Sequence, residues 1–105
     1  MNARIKLAAL ASLMIFTVPA IAQSPGADTY KAKCQGCHGA AGMADTSVGK
    51  VLKVVPINDP SVKKMNEPAM IDAVKNGMGK MQAFKGKLTD DQIKGAVEYF
   101  RTLGK

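Results

Sequence analysis

Cys34-Gln35-Gly36-Cys37-His38 is the stretch on which the reading of this chain turns. Two thiols stand three residues apart and an imidazole follows the second directly, the C-x-x-C-H pattern by which c-type haem is attached. The spacing has a mechanical reason. Thiols one helical turn apart reach the two vinyl groups on one porphyrin edge and become thioethers, and the adjacent histidine then presents its ring to the iron. Gly36 lets the backbone lie close to that edge. Other uses of the five residues fit less well. A structural zinc site takes four Cys or His ligands, usually as two separated pairs, whereas the chain holds two cysteines and one histidine in all. A thioredoxin-like dithiol needs a βαβ surround that this sequence does not offer. A nucleophilic cysteine needs a base oriented by a third group, and none is evident.

Upstream of the motif, Arg4 and Lys6 precede an apolar run over residues 7–18 and then Ala20-Ile21-Ala22, the anatomy of a secretory signal peptide. The run has 12 residues, whereas crossing a bilayer takes about 20. Cleavage after Ala22 is therefore expected, with an uncleaved anchor as the alternative. Residues 1–22 are read as the signal and residues 23–105 as one domain, periplasmic or otherwise exported. That domain keeps only Tyr30, Phe84, Tyr99 and Phe100 as aromatics and no Trp, a thin core for its length. Small domains of this kind need a staple, and a disulfide across so short a loop would contribute little. Without Arg4 and Lys6 the domain has 13 basic and 8 acidic residues. Nearly all the positive charge is Lys, which favours acidic protein partners over nucleic acid.

Downstream, residues 27–34 suit a short helix introduced by Ser24-Pro25-Gly26. Residues 36–58 are rich in Gly, Ala, Ser and Thr without a sustained period and read as mostly loop. Asp59-Pro60 and Asn66-Glu67-Pro68 are cap signals for two short helices or one broken one, with Met70, Ile71, Val74 and, at the limit of the spacing, Met78 on an apolar face and Asn76-Gly77 as the stop. Thr89 with Gln92 fits a capping box, Asp90 and Asp91 suit the positive end of the helix dipole, and Ile93, Ala96, Val97, Phe100 and Leu103 follow the 3.6-residue period. Short helices joined by long loops make an all-α domain that needs something to fold around.

With these features the chain resembles a small bacterial class I mono-haem c-type cytochrome over essentially all of residues 26–103. The matching stretches are CQGCH followed by Gly39, NGMGKM at 76–81, MQAF at 81–84 and the terminal LTDDQIKGAVEYFRTL. The resemblance implies a cytochrome c-like fold of three to five short helices wrapped around one covalently bound haem. It also implies that the first and last helices cross, with Gly26 and Tyr30 against Ala96 and Tyr99. His38 is the sole histidine, so the second axial ligand comes from elsewhere. Met65 and Met70 sit in helical segments where core packing is the usual role, and Met43 lies close behind His38. Met78 and Met81 lie in a loop flanked by Gly77, Gly79 and Gly86, where the backbone is free to present a thioether.

The family's M-x-x-F pattern points to Met81, although Gln82 stands where the family commonly has proline. The cofactor-binding set is then Cys34, Cys37, His38 and Met81, with His38 and Met81 on the iron of haem c. Family likeness also suggests a proline carbonyl, here Pro56, as acceptor for the free ring nitrogen of His38. Lys50 and Lys53 could neutralise a haem propionate, with solvated lysines the equal alternative. His and Met together leave no vacant iron position, which implies a one-electron carrier and not an enzyme. A haem enzyme or gas binder with an open sixth position is the competing reading. Partners would be a redox donor and acceptor met transiently, with no nucleic acid, no membrane span after signal cleavage and a monomeric state. Lys80, Lys85 and Lys87 would form the docking patch.

Overall fold

The computed structural model describes residues 12–15 and 24–105; apart from 12–15, the expected signal segment lies outside the described residues. Among them run six helices: α1 Pro25–Lys33, α2 Gln35–His38, α3 Ser47–Val51, α4 Pro60–Lys63, α5 Glu67–Asn76 and α6 Asp90–Leu103. The only pairing of β type in this part is two isolated bridges, Met78 with Met81 and Lys85 with Leu88. No described helix is long and apolar enough to cross a membrane. The architecture is all-α, with one helix more than the three to five expected, because the stretch read as mostly loop contains α2 and α3.

Each longer helix starts where its side chains satisfy the first free backbone N–H groups. Ser24 accepts from the Ala27 N–H at 3.2 Å and Pro25 opens α1. Asn66 accepts from the Ala69 N–H at 2.9 Å at the head of α5, and Gly77, at φ +81°, closes that helix with its N–H on the Ala73 carbonyl. At α6 the capping box is complete: Thr89 accepts from the Gln92 N–H at 3.1 Å, and the Gln92 side chain accepts from the Thr89 N–H at 2.9 Å.

The helix α6 buries Ile93, Ala96 and Val97, positions one turn apart on one face. Ile93 and Val97 form the core with Met70 of α5 and Phe84. Val62, Met65, Ile71, Val74, Met81, Leu88 and Phe100 pack around them. On the other flank α1 crosses α6 where Gly26 meets Gly95; a methyl group on Gly26 would fall on the Gly95 carbonyl. Tyr30 lies 5.2 Å from Tyr99, centroid to centroid. Gly26 therefore opposes Gly95, and not Ala96 as expected. Backbone contact this close needs hydrogen in place of a side chain on both helices, and Gly95 supplies it while its neighbour Ala96 turns into the core.

Candidate functional site

The attachment motif spans the end of α1 and the whole of α2. Cys34 ends α1 with its N–H on the Tyr30 carbonyl at 2.8 Å, and the N–H groups of Cys37 and His38 return to the Cys34 carbonyl at 3.2 and 3.0 Å. The thiols thus sit one turn apart on a single four-residue turn. So short a helix cannot hold itself, and its carbonyl ends need partners. The chain provides them from three directions. The Tyr30 hydroxyl donates to the Gly39 carbonyl at 2.6 Å in a buried bond. The Ala44 N–H donates to the His38 carbonyl at 2.8 Å. Thr46 Oγ1 donates to the Gly36 carbonyl at 2.7 Å and accepts from the Gly49 N–H at 2.9 Å.

Gly49 of α3 lies so close to α2 that a Cβ would fall on the Cys37 carbonyl and come within 2.8 Å of the Ala44 carbonyl. Tyr30 was visible in the sequence as a helix-crossing residue. Thr46 and Gly49 were missed; the signal that could have found them is a Thr two residues before a Val-Gly pair, a capping residue before a close-approach glycine.

Both thiols are free and half-buried. Desolvation, with Cys37 close by, pushes the Cys34 thiol up to about 11, so it stays protonated at neutral pH. That is opposite to the lowered value of a reactive dithiol. Burial lowers the His38 imidazole below its ordinary value, leaving the neutral ring that binds metals. Its edge faces Phe100 at 5.3 Å between centroids. His38 Nδ1 is buried and makes no hydrogen bond. The bond expected to the Pro56 carbonyl is not formed; that carbonyl accepts from the Asp59 N–H at 3.0 Å, while the neighbouring Ile57 is held by its N–H on the Gly42 carbonyl at 2.8 Å.

The second methionine candidate region is a tight reverse turn. Met78 N–H donates to the Met81 carbonyl at 3.2 Å and Met81 N–H to the Met78 carbonyl at 2.9 Å. The turn therefore separates the two sulfurs by environment. Met78 is 59% exposed, whereas Met81 is half-buried and packs on the cluster of Met70, Phe84, Ile93 and Val97. Phe100, the residue against His38, packs on the same cluster. His38 thus sits beside Phe100 of α6, and Met81 packs on the cluster against which Phe100 also packs. Beyond the turn, Phe84 and Lys85 donate their N–H groups to the Val74 and Lys75 carbonyls at 2.9 and 3.1 Å, fixing the strap to the end of α5. Gln82 Oε1 accepts from Lys87 Nζ at 3.2 Å. Lys50 and Lys53 are exposed.

A paired-thiol turn with a neutral imidazole beside it, on an all-helical frame that brings a methionine strap to the same core, is the construction of a c-type cytochrome. The chain belongs to that family: residues 22–100 match the family described as cytochrome c oxidase, cbb3-type, subunit III. It is 36% identical over 74 residues to a cytochrome c6 of Leptolyngbya boryana, covering 70% of this chain and 84% of the relative. To the cytochrome c6 of a Picosynechococcus species it is 33% identical over 101 residues, covering 90% and 86%. Among solved structures it resembles the KustC0563 c-type cytochrome, with a TM-score of 0.69 and 29% identity over 76% of this chain and 98% of the other. Covalently attached haem c comes with this family. The residues present suit it: two free thiols one turn apart, and a neutral imidazole whose buried Nδ1 has no protein partner.

Proposed function

We propose that the chain is a one-electron carrier in which Cys34 and Cys37 form the two thioethers and His38 and Met81 are the axial ligands. The observation that carries the methionine assignment is the contrast across the turn: Met81 packs on the core that Phe100 shares with His38, while Met78 points outward. Bound there, haem supplies a single reversible electron. The chain's own residues do the rest. His38 and Met81 would both hold the iron, which would leave no coordination position for substrate or oxygen. Met70, Val74, Phe84, Val97 and Phe100 line the apolar core and keep water from it, which favours the less charged ferrous state.

Residues 23–105 form the working domain on this reading, released into the periplasm or an equivalent exported compartment once residues 1–22 are cleaved. Its redox partners meet it briefly, since electron-transfer encounters bury little surface and rely on charge steering. Lys80, Lys85 and Lys87 are exposed on the strap and form the docking patch. Rates with an acidic partner should fall as ionic strength rises; a flat dependence removes the patch. The ligand assignment is tested on matured protein by visible spectra and a covalent-haem gel stain. Met81→Ala should abolish the ferric iron–sulfur absorption band near the red edge, and Met78→Ala should leave it. Loss of the band in the Met78 variant alone overturns the assignment, and carbon monoxide binding by the native reduced protein overturns the filled sixth position.

A further inference from the structure

Three successive carbonyls of the attachment turn face residues 44–49. Gly36 receives the Thr46 hydroxyl, Cys37 is met by the bare Cα of Gly49, and His38 receives the Ala44 N–H. In this set Thr46 alone works through its side chain. Its hydroxyl hydrogen is committed to the Gly36 carbonyl, and one lone pair is committed to the Gly49 N–H. One atom thus joins the start of α3 to the middle of C-x-x-C, ten residues away in sequence. Shape alone cannot replace it. Valine has the same outline but neither donor nor acceptor.

We propose that Thr46 is a positioning residue of the haem site: its hydroxyl fixes the turn that carries Cys37 and His38, and through that turn it sets the reduction potential. This rests on the reading of Cys34 to His38 as the attachment segment. Two effects act in the same direction. The hydroxyl opposes the negative end of the Gly36 carbonyl dipole, which would otherwise favour the more positive ferric state. It also holds α3 against α2, so that the buried Gly49 covers the Cys37 carbonyl. Hydrogen bonding and burial around a haem both tune its potential.

The experiment uses matured, pigmented protein and compares Thr46→Val, Thr46→Ser and Thr89→Val by redox titration and by urea unfolding. Thr89 caps α6 far along the chain from the motif, so its variant reports what lost stability alone does. Thr46→Val should titrate at a lower potential than the native protein, Thr46→Ser at the native potential, and Thr89→Val at the native potential despite unfolding at lower urea. An unchanged potential in Thr46→Val, or an equal fall in Thr89→Val, overturns the proposal. If Thr46→Val yields no pigmented protein, covalent haem per polypeptide is compared between Thr46→Ala and Thr46→Ser. Normal loading of the serine variant alone supports the role of the hydroxyl, and equal loading refutes it. Failure of the attachment reading looks different: the native protein itself would then be colourless.

Discussion

The two regions that would face the iron are built on different plans. Around the attachment turn, the carbonyls of Gly36, His38 and Gly39 are bonded from both sides of the motif, by Thr46 and Ala44 of the following segment and by Tyr30 of α1. At the strap, Met78 and Met81 are joined mainly to each other, and the side-chain tie described there runs between two exposed residues, Gln82 and Lys87. Protection differs accordingly, with Tyr30 2% exposed against 59% for Met78. Covalent attachment demands one orientation of the turn before and after reaction. A thioether ligand, by contrast, is held by a long flexible side chain and tolerates adjustment. The difference implies that the histidine side of the site is rigid and the methionine side compliant.

Glycine substitutions offer the largest test of that contrast. Gly49→Ala would drive a methyl group onto the Cys37 and Ala44 carbonyls, backbone atoms that cannot rotate aside, so urea unfolding should show a loss of about 3 kcal/mol. Gly79→Ala in the strap meets nothing within 4 Å. There the cost is confined to φ +56°, which an L-residue adopts at about 1 kcal/mol. Equal losses would mean that the strap is packed as tightly as the turn, and the contrast would not stand.

A smaller effect is expected from Tyr30→Phe, which keeps the ring between Tyr99 and Phe100 but removes one of two hydrogen bonds to the buried Gly39 carbonyl, leaving the one from the Gly42 N–H at 3.2 Å. The expected loss is about 1 kcal/mol. The same residue gives a pH signature. Desolvation raises the Tyr30 hydroxyl well above its ordinary value, so the folded protein keeps its proton where the unfolded chain has begun to lose it. With more protons bound in the folded state, stability falls as pH rises above about 10. Tyr30→Phe should remove that part of the alkaline slope; an unaltered slope would assign it to other groups.

How much of this was legible in sequence follows from where each interaction is encoded. The C-x-x-C-H motif lies in five consecutive residues, so the cytochrome c family and its haem were readable from it. So was α6, because Thr89, Gln92 and the spacing of Ile93, Ala96 and Val97 are local signals. Helix α3 was not. It has five residues with a glycine in the middle, a poor local helix former, and that glycine makes sense only against the Cys37 carbonyl of a different element. Gly95 likewise is a poor local helix former inside α6, and its place there makes sense only as the surface on which Gly26 of α1 rests. Met78 and Met81 have similar glycine-bordered neighbourhoods in sequence. Only the closed turn shows that one faces solvent and the other the core.

The finest test concerns the tie between Gln82 and Lys87. Both side chains are exposed, so water competes for each, and a contact of this kind contributes no more than about 0.5 kcal/mol. A double-mutant cycle of Gln82→Ala and Lys87→Met isolates the pair from the other losses each change brings. It can be read on two scales, urea unfolding and persistence of the ferric iron–sulfur band on heating. Coupling within that bound on both scales leaves Met81 held chiefly by its backbone turn, by the Phe84 and Lys85 bonds to α5, and by packing on the core. A coupling above about 1 kcal/mol would put the pair on a par with a buried hydrogen bond. The strap would then be clamped by its side chains as the attachment turn is, and compliance on the methionine side would need another source.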